Sequence, residues 1–204
     1  MEDLTSCPEE MHGSSPAMQV PSDDVLLGRF ASGDATAARQ LTDRLGPRCY
    51  GVALRMLGNR AEAEDVTQDA MMRLWQIAPD WVAGQAKVST WLYRVTMNLC
   101  LDIKRRKRPD TLENAPDIHD ETASVVDQMQ DMARKDALQD ALNQLPERQR
   151  QAVILRHLEE LSNPEIGSVM DISVEAVESL TARGKRSLAA ILAGRRDELG
   201  FEDG

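Results

Sequence analysis

Between Asn59 and Arg108 the apolar residues recur twice at helical spacing, and this double period constrains the fold of the 204-residue chain more than any other feature. Asn59 and Glu62 stand as an N-cap and its reciprocal carboxylate, so the first helix has a well-marked start. Ala63, Val66, Ala70, Leu74 and Ile77 then make one stripe that is expected to be buried. At about 100° per residue, Asp65, Asp69, Met72 and Gln76 fall together on another face, with Gln68 beside them. Two carboxylates, amides and a methionine form an unusual surface for contact with water alone.

The second helix is expected from about Ser89 to Lys107, with Leu92, Val95, Leu99 and Ile103 as its core stripe. Trp91, Arg94, Asn98, Asp102 and Arg105 share a different face, and the helix runs out into Lys104-Arg105-Arg106-Lys107-Arg108. Aromatic, amide and cationic side chains in a row can stack on bases and hold phosphates. The basic run also has a plainer reading, because cations favour a helix C-terminus through its dipole. Between the two helices, "APDWVAGQAKV" reads as a loop in which Trp81, Gln85 and Lys87 offer a ring face, an amide and a cation. Trp81 has an alternative as well: to pack down onto the bundle.

A net charge of −10 argues against nucleic acid until it is resolved along the chain. Residues 1–24 carry six acids and no Lys or Arg, giving −6, whereas residues 25–108 carry fourteen bases and eight acids, giving +6. Residues 109–135, with two bases and seven acids, and residues 136–204, with eight bases and thirteen acids, each come to −5. The positive charge is concentrated where a phosphate backbone would be met.

The rest of the chain reads as helices separated by turn residues. Residues 1–21 are acidic, rich in Pro and Ser and without a period, and are expected to be a disordered extension. Ser22 or Asp23 caps a short helix from Asp24 to Ala31. Asp34 caps the next, with Ala38, Leu41 and Leu45 in its stripe, and Gly46-Pro47 is expected to interrupt it before a stretch ending at Leu57-Gly58. Residues 109–135 read as an acidic linker, with Val125, Met129 and Met132 spaced for a helical turn leading into the next set. From Asp136 a second set begins: Ala137, Leu138, Ala141 and Leu142 on one helix, Val153, Ile154 and Leu158 on the next. Ser162 and Pro164 then start a helix with Ile166, Val169 and Met170 inside, Asp171-Ile172 turn, and Ser173 caps a last helix carrying Val177, Leu180 and Leu188. Two helices joined by such a turn form a helix-turn-helix.

No enzymatic constellation, metal-ligand spacing or cofactor loop is present in this reading. Cys7, Cys49 and Cys100 are far apart, the last two within helical patterns as packing residues. No window approaches the roughly 18 apolar residues that span a bilayer, and the acidic start lacks a signal core, so a cytoplasmic location is expected.

Two blocks carry a family resemblance. "AEAEDVTQDAMMRLWQ" with "STWLYRVTMNLCLDIKRRKR" resembles the second conserved region of bacterial sigma factors of the extracytoplasmic-function group. "LPERQRQAVILRHLEELSNPEIGSVMDISVEAVESLTARGKRSL" resembles the fourth conserved region of the same family. The resemblance implies an all-α chain: an extension at 1–21, a region-2 domain at 22–108, a linker at 109–135, a region-4 domain at 136–194 and a tail at 195–204. It implies that Asp65, Gln68, Asp69, Met72 and Gln76 grip core RNA polymerase, through its beta-prime and beta subunits. Trp81, Gln85, Lys87, Trp91, Arg94, Asn98, Arg105 and Arg106 would meet the melted −10 promoter element. Glu175, Glu178, Ser179, Arg183, Lys185 and Arg186 would meet the −35 element, and an anti-sigma factor is implied as a further partner. Glu175 and Glu178 depart from the more basic pattern of a groove-reading helix; they can accept from cytosine N4 or satisfy the helix N-terminus. The competing reading is a stand-alone helix-turn-helix regulator with an N-terminal interaction domain.

Overall fold

A computed structural model describes residues 20–107 and 127–194, with side chains described from residue 134 in the second stretch. The described residues form eight α-helices and no strands. The first four, α1 (Asp23–Ala31), α2 (Ala35–Leu57), α3 (Arg60–Ile77) and α4 (Val88–Arg106), make one bundle. The others, α5 (Asp127–Gln144), α6 (Glu147–Val153), α7 (Asn163–Met170) and α8 (Val174–Ala193), make the second helical region.

The helix starts follow their capping chemistry. Ser22 Oγ accepts from Val25 N, Asp34 Oδ1 from Thr36 N and Ala37 N, and Asn59 Oδ1 from Glu62 N. Ser162 and Glu165 form a reciprocal capping box on α7, and Ser173 Oγ accepts from Ala176 N at the start of α8. Gly58 closes α2 at φ +70°, where a side chain would be strained. Asp171 closes α7 at φ +54° and turns the chain into α8.

The expected break at Gly46-Pro47 is not observed: α2 is one helix of 23 residues with Pro47 inside it. Pro47 removes the N–H that Asp43 O would accept, but both residues are exposed, so water can meet that carbonyl. Leu41, Leu45, Cys49, Val52 and Met56 lie buried along one face across the proline, and their burial outweighs its cost. The linker is also shorter than expected, because residues 127–135 belong to α5. Residues 1–19 of the expected extension, 109–126 of the linker and the tail at 195–204 lie outside the described residues. At the inner end of the extension, Pro21 O accepts from Arg44 Nη1 at 3.0 Å.

The stripes on α3 and α4 face inward, with Ala63, Val66, Ala70, Leu74, Leu92 and Leu99 buried and Ile77, Val95 and Ile103 half-buried. α4 is buried over a wider arc than one stripe, since Tyr93, Thr96, Met97 and Cys100 are covered too. The second helical region covers that extra arc by laying α7 against α4. One continuous core therefore joins both regions, from Leu26 on α1 to Val177 on α8. Burial pushes the Cys49 and Cys100 thiols up to about 12, so both are inert packing groups.

Candidate functional site

Three surfaces carry the candidate residues. On α3, Asp65, Gln68, Asp69, Met72 and Gln76 are all exposed, and Met72 shows half of its surface to solvent. The inward stripe holds α3 to α2 and α4, which leaves this face directed away from the bundle. An exposed thioether between carboxylates and amides can seat a partner through both polar and apolar contacts.

The loop and α4 make the second surface. Trp81 is half-buried: its Nε1 donates to Asp24 Oδ1 at 2.8 Å, and its ring meets Trp91 edge-on with centroids 6.1 Å apart. Of its two sequence readings, the structure takes the packed one, with a polar handle satisfied by α1. Gly84 at φ +87° supplies the turn that leaves Gln85 and Lys87 exposed. Arg94 and Asn98 are exposed one helical turn apart, and Arg105 and Arg106 follow near the helix end.

The basic run at the end of α4 has mixed roles. Lys104 Nζ turns back and donates to Met56 O at 3.0 Å, helping close α2, and burial lowers its pKa. Lys107 pairs with Glu62 at 2.6 Å, and Arg105 pairs with Asp102. Arg106 is exposed without a partner among the described residues, and Arg108 lies outside them. Part of the run is thus helix-end and intrahelical electrostatics.

The third surface is α8. Glu175, Glu178, Ser179, Arg183, Lys185 and Arg186 are all exposed. Glu175 is held below the usual carboxylate range by its own backbone N–H and by the Ser173 hydroxyl, which fits the helix-start reading. Glu178 does not share that role: it accepts from Asn163 Nδ2 on α7 at 3.3 Å. Arg183 folds back onto Ser179, donating to both its carbonyl and its hydroxyl. α8 crosses α6 closely enough that a Cβ on Gly184 would stand 2.6 Å from Val153 Cγ2.

Residues outside the sequence-derived set tie the second region to the first. Tyr93 Oη donates to Glu159 Oε2 at 2.6 Å, and Lys87 Nζ pairs with Glu165 Oε1 at 2.6 Å. Gln139 Nε2 donates to Arg55 O, and Arg150, only 5% exposed, donates to Met56 O as well as to Asn143 O and Leu145 O. Burial pushes the Glu159 carboxyl above its ordinary value. Burial and the Glu159 carboxylate also push the Tyr93 hydroxyl up, so it stays a donor. A cleft of about 350 Å³ separates the regions, with Arg94, Asn98 and Arg105 on one wall and Glu147, Arg148 and Asp171 on the other. The sequence did carry a signal for two of these residues. Tyr93, Met97 and Cys100 form a second apolar stripe on α4, and Arg150 stands at helical spacing before Val153 and Ile154.

The chain matches two family models, Sigma-70 region 2 over residues 41–109 and Sigma-70 region 4 over residues 135–188. It is 31% identical over 173 residues to the ECF RNA polymerase sigma factor SigW of Bacillus subtilis (strain 168), covering 79% of this chain and 92% of SigW. It is 33% identical over 175 residues to the ECF RNA polymerase sigma factor SigE of Mycolicibacterium smegmatis, covering 82% of this chain and 67% of SigE. Its fold is similar to that of CnrH, solved in complex with the cytosolic domain of CnrY, at a TM-score of 0.65 and 26% identity over 85% of this chain and 99% of that one. Both conserved regions are present in order, on the helices that expose the candidate residues, and the chain belongs to the ECF (extracytoplasmic-function) RNA polymerase sigma factors.

Proposed function

We propose that this sigma factor divides its work among the three surfaces. The α3 face of Asp65, Gln68, Asp69, Met72 and Gln76 seats the chain on core RNA polymerase, on the beta-prime subunit, with beta as a further contact. Lys87, Gln85, Arg94, Asn98, Arg105 and Arg106, beside the Trp81–Trp91 pair, meet the melted −10 strand. Arg183, Lys185 and Arg186 on α8 anchor phosphates of the −35 element, with Ser179, Glu175 and Glu178 nearest the bases. The observation that carries this reading is the exposure of the α3 set and the α4 set on separate faces of one bundle, so polymerase and DNA can be held together.

Residues 22–108 and 136–194 act as the two DNA-reading modules, and the linker joins them. A few cations on an acidic region give weak binding to free DNA. Joining two weak modules on one polymerase raises their effective concentration at the promoter. The chain acts by binding rather than by catalysis, and it works in the cytoplasm, where transcription takes place. An anti-sigma factor is a further partner, a reading supported by the CnrH complex and by the exposed Met72.

The test is a pull-down with core polymerase. Asp65→Ala with Asp69→Ala changes two exposed side chains, so folding should stay within about 0.5 kcal/mol of the wild type. Core binding should fall sharply. Retention of full core binding by the double variant overturns the assignment.

A further inference from the structure

Where α5, α6 and α8 meet, the second helical region holds an apolar groove of about 230 Å³ at its surface. Leu138 and Leu142 of α5 line it, together with Leu158 and with Leu188 of α8. Past α6 the chain widens into a π-helical turn over Ile154–Leu158, which brings His157 and Leu158 to the groove. Such turns are rare and concentrate at functional positions. His157 and Lys185 stand at the rim, both exposed, and neither forms an ion pair or hydrogen bond among the described residues. Burial lowers the His157 pKa, and so do the Lys185 and Arg156 charges, with no carboxylate opposing them.

The chain itself holds a segment of matching chemistry. The residues that follow Gly194 read "RRDELGFEDG". Asp197, Glu198, Glu202 and Asp203 flank Leu199 and Phe201, and Phe201 is one of only two phenylalanines in the chain. Two positions apart, Leu199 and Phe201 share one side of an extended segment. Reach is ample. Leu188 stands six residues before Gly194, about 9 Å back along the helix, and Phe201 seven residues beyond it, up to about 23 Å of extended chain.

We propose that residues 197–203 fold back onto this groove, with Leu199 and Phe201 seated between α5 and α8 and the flanking carboxylates on Lys185 and His157. Tethering holds the segment at an effective concentration on the order of millimolar, so a contact that is weak between separate molecules suffices. An open apolar groove invites other chains. The seated segment covers it until a partner of greater affinity takes its place. The contact is independent of the roles proposed for α3 and α4.

Two measurements on the full-length chain test it. Phe201→benzoylphenylalanine, illuminated at low micromolar concentration, should couple within one chain to the peptides that hold Leu138, Leu142 or Leu188, identified by mass spectrometry. His157→Glu with Lys185→Glu changes two exposed side chains and should lower that yield about fivefold or more. Fluorescence anisotropy then reads competition by a labelled peptide of residues 195–204. It should bind the Leu199→Ala, Phe201→Ala chain about fivefold or more tighter than the wild type, whose own segment occupies the groove. Adding His157→Glu and Lys185→Glu should abolish the gain. Coupling outside the groove, coupling only between two copies of the chain, a yield unmoved by the charge reversals, or equal peptide affinity for the two chains overturns the proposal.

Discussion

Gly184 sets helix propensity against packing, and the structure decides the sign. In an open helix, Gly→Ala stabilises by about 1 kcal/mol. Gly184 is buried in α8, where a Cβ would stand 2.6 Å from Val153 Cγ2, 3.1 Å from Gln149 O and 3.3 Å from Gln149 Cβ. Val153 is itself buried, and a backbone carbonyl cannot rotate away, so α8 must lift from α6. Overpacking of this kind costs about 1–3 kcal/mol. The net expectation for Gly184→Ala is a loss of up to about 2 kcal/mol, centred near 1, instead of the propensity gain. Urea unfolding followed by far-ultraviolet circular dichroism measures it. With a slope of about 1–3 kcal/mol per molar, a loss near 1 kcal/mol lowers the midpoint by roughly 0.3–1 M. Val153→Ala removes the closest methyl, so the double variant should lose less than the sum of the singles, leaving the Gln149 contact unrelieved. A Gly184→Ala chain more stable than the wild type, showing the open-helix gain of about 1 kcal/mol, refutes the close α6–α8 crossing.

Asp34→Ala removes the side-chain acceptor of Thr36 N and Ala37 N at the start of α2, and should cost about 1 kcal/mol in the same unfolding assay. Glu159→Gln tests the burial of this carboxyl through pH. Because burial raises the Glu159 pKa above 4.5, the folded chain holds that proton more tightly than the unfolded one, and stability falls as pH rises through this window. The variant should lack that component, so its melting temperature should drop less than the wild type's between pH 4.5 and neutrality. Glu165 has the opposite sign, since its pKa is lowered from 4.5 to about 2. Its contribution is present above 4.5 and lost as pH falls toward 2, and Glu165→Gln should reduce acid sensitivity there.

The helices and their caps were legible in the sequence because both are local. Asn59, Ser162 and Ser173 mark helix starts whose geometry depends on a few neighbouring residues. The continuity of α2 through Pro47 was not legible, because it is fixed by the burial of Leu45 and Cys49 against other helices. The exposed set on α3 followed from period, and that on α8 from the family resemblance. The closing of the two regions on each other did not, since Arg150–Met56 and Tyr93–Glu159 join residues remote in sequence. Trp81 shows the same division. Its loop was readable from Pro79 and Gly84, but its choice between a base and the bundle depended on Asp24 and Trp91.

The most direct measurement is run-off transcription with purified bacterial core RNA polymerase and a promoter library, with and without this chain. Discrete promoter-dependent transcripts are expected only when core and chain are both present, and are lost with Asp65→Ala plus Asp69→Ala. Transcripts that do not depend on the chain, or a chain that binds duplex sites tightly by itself and never engages core polymerase, contradict this expectation.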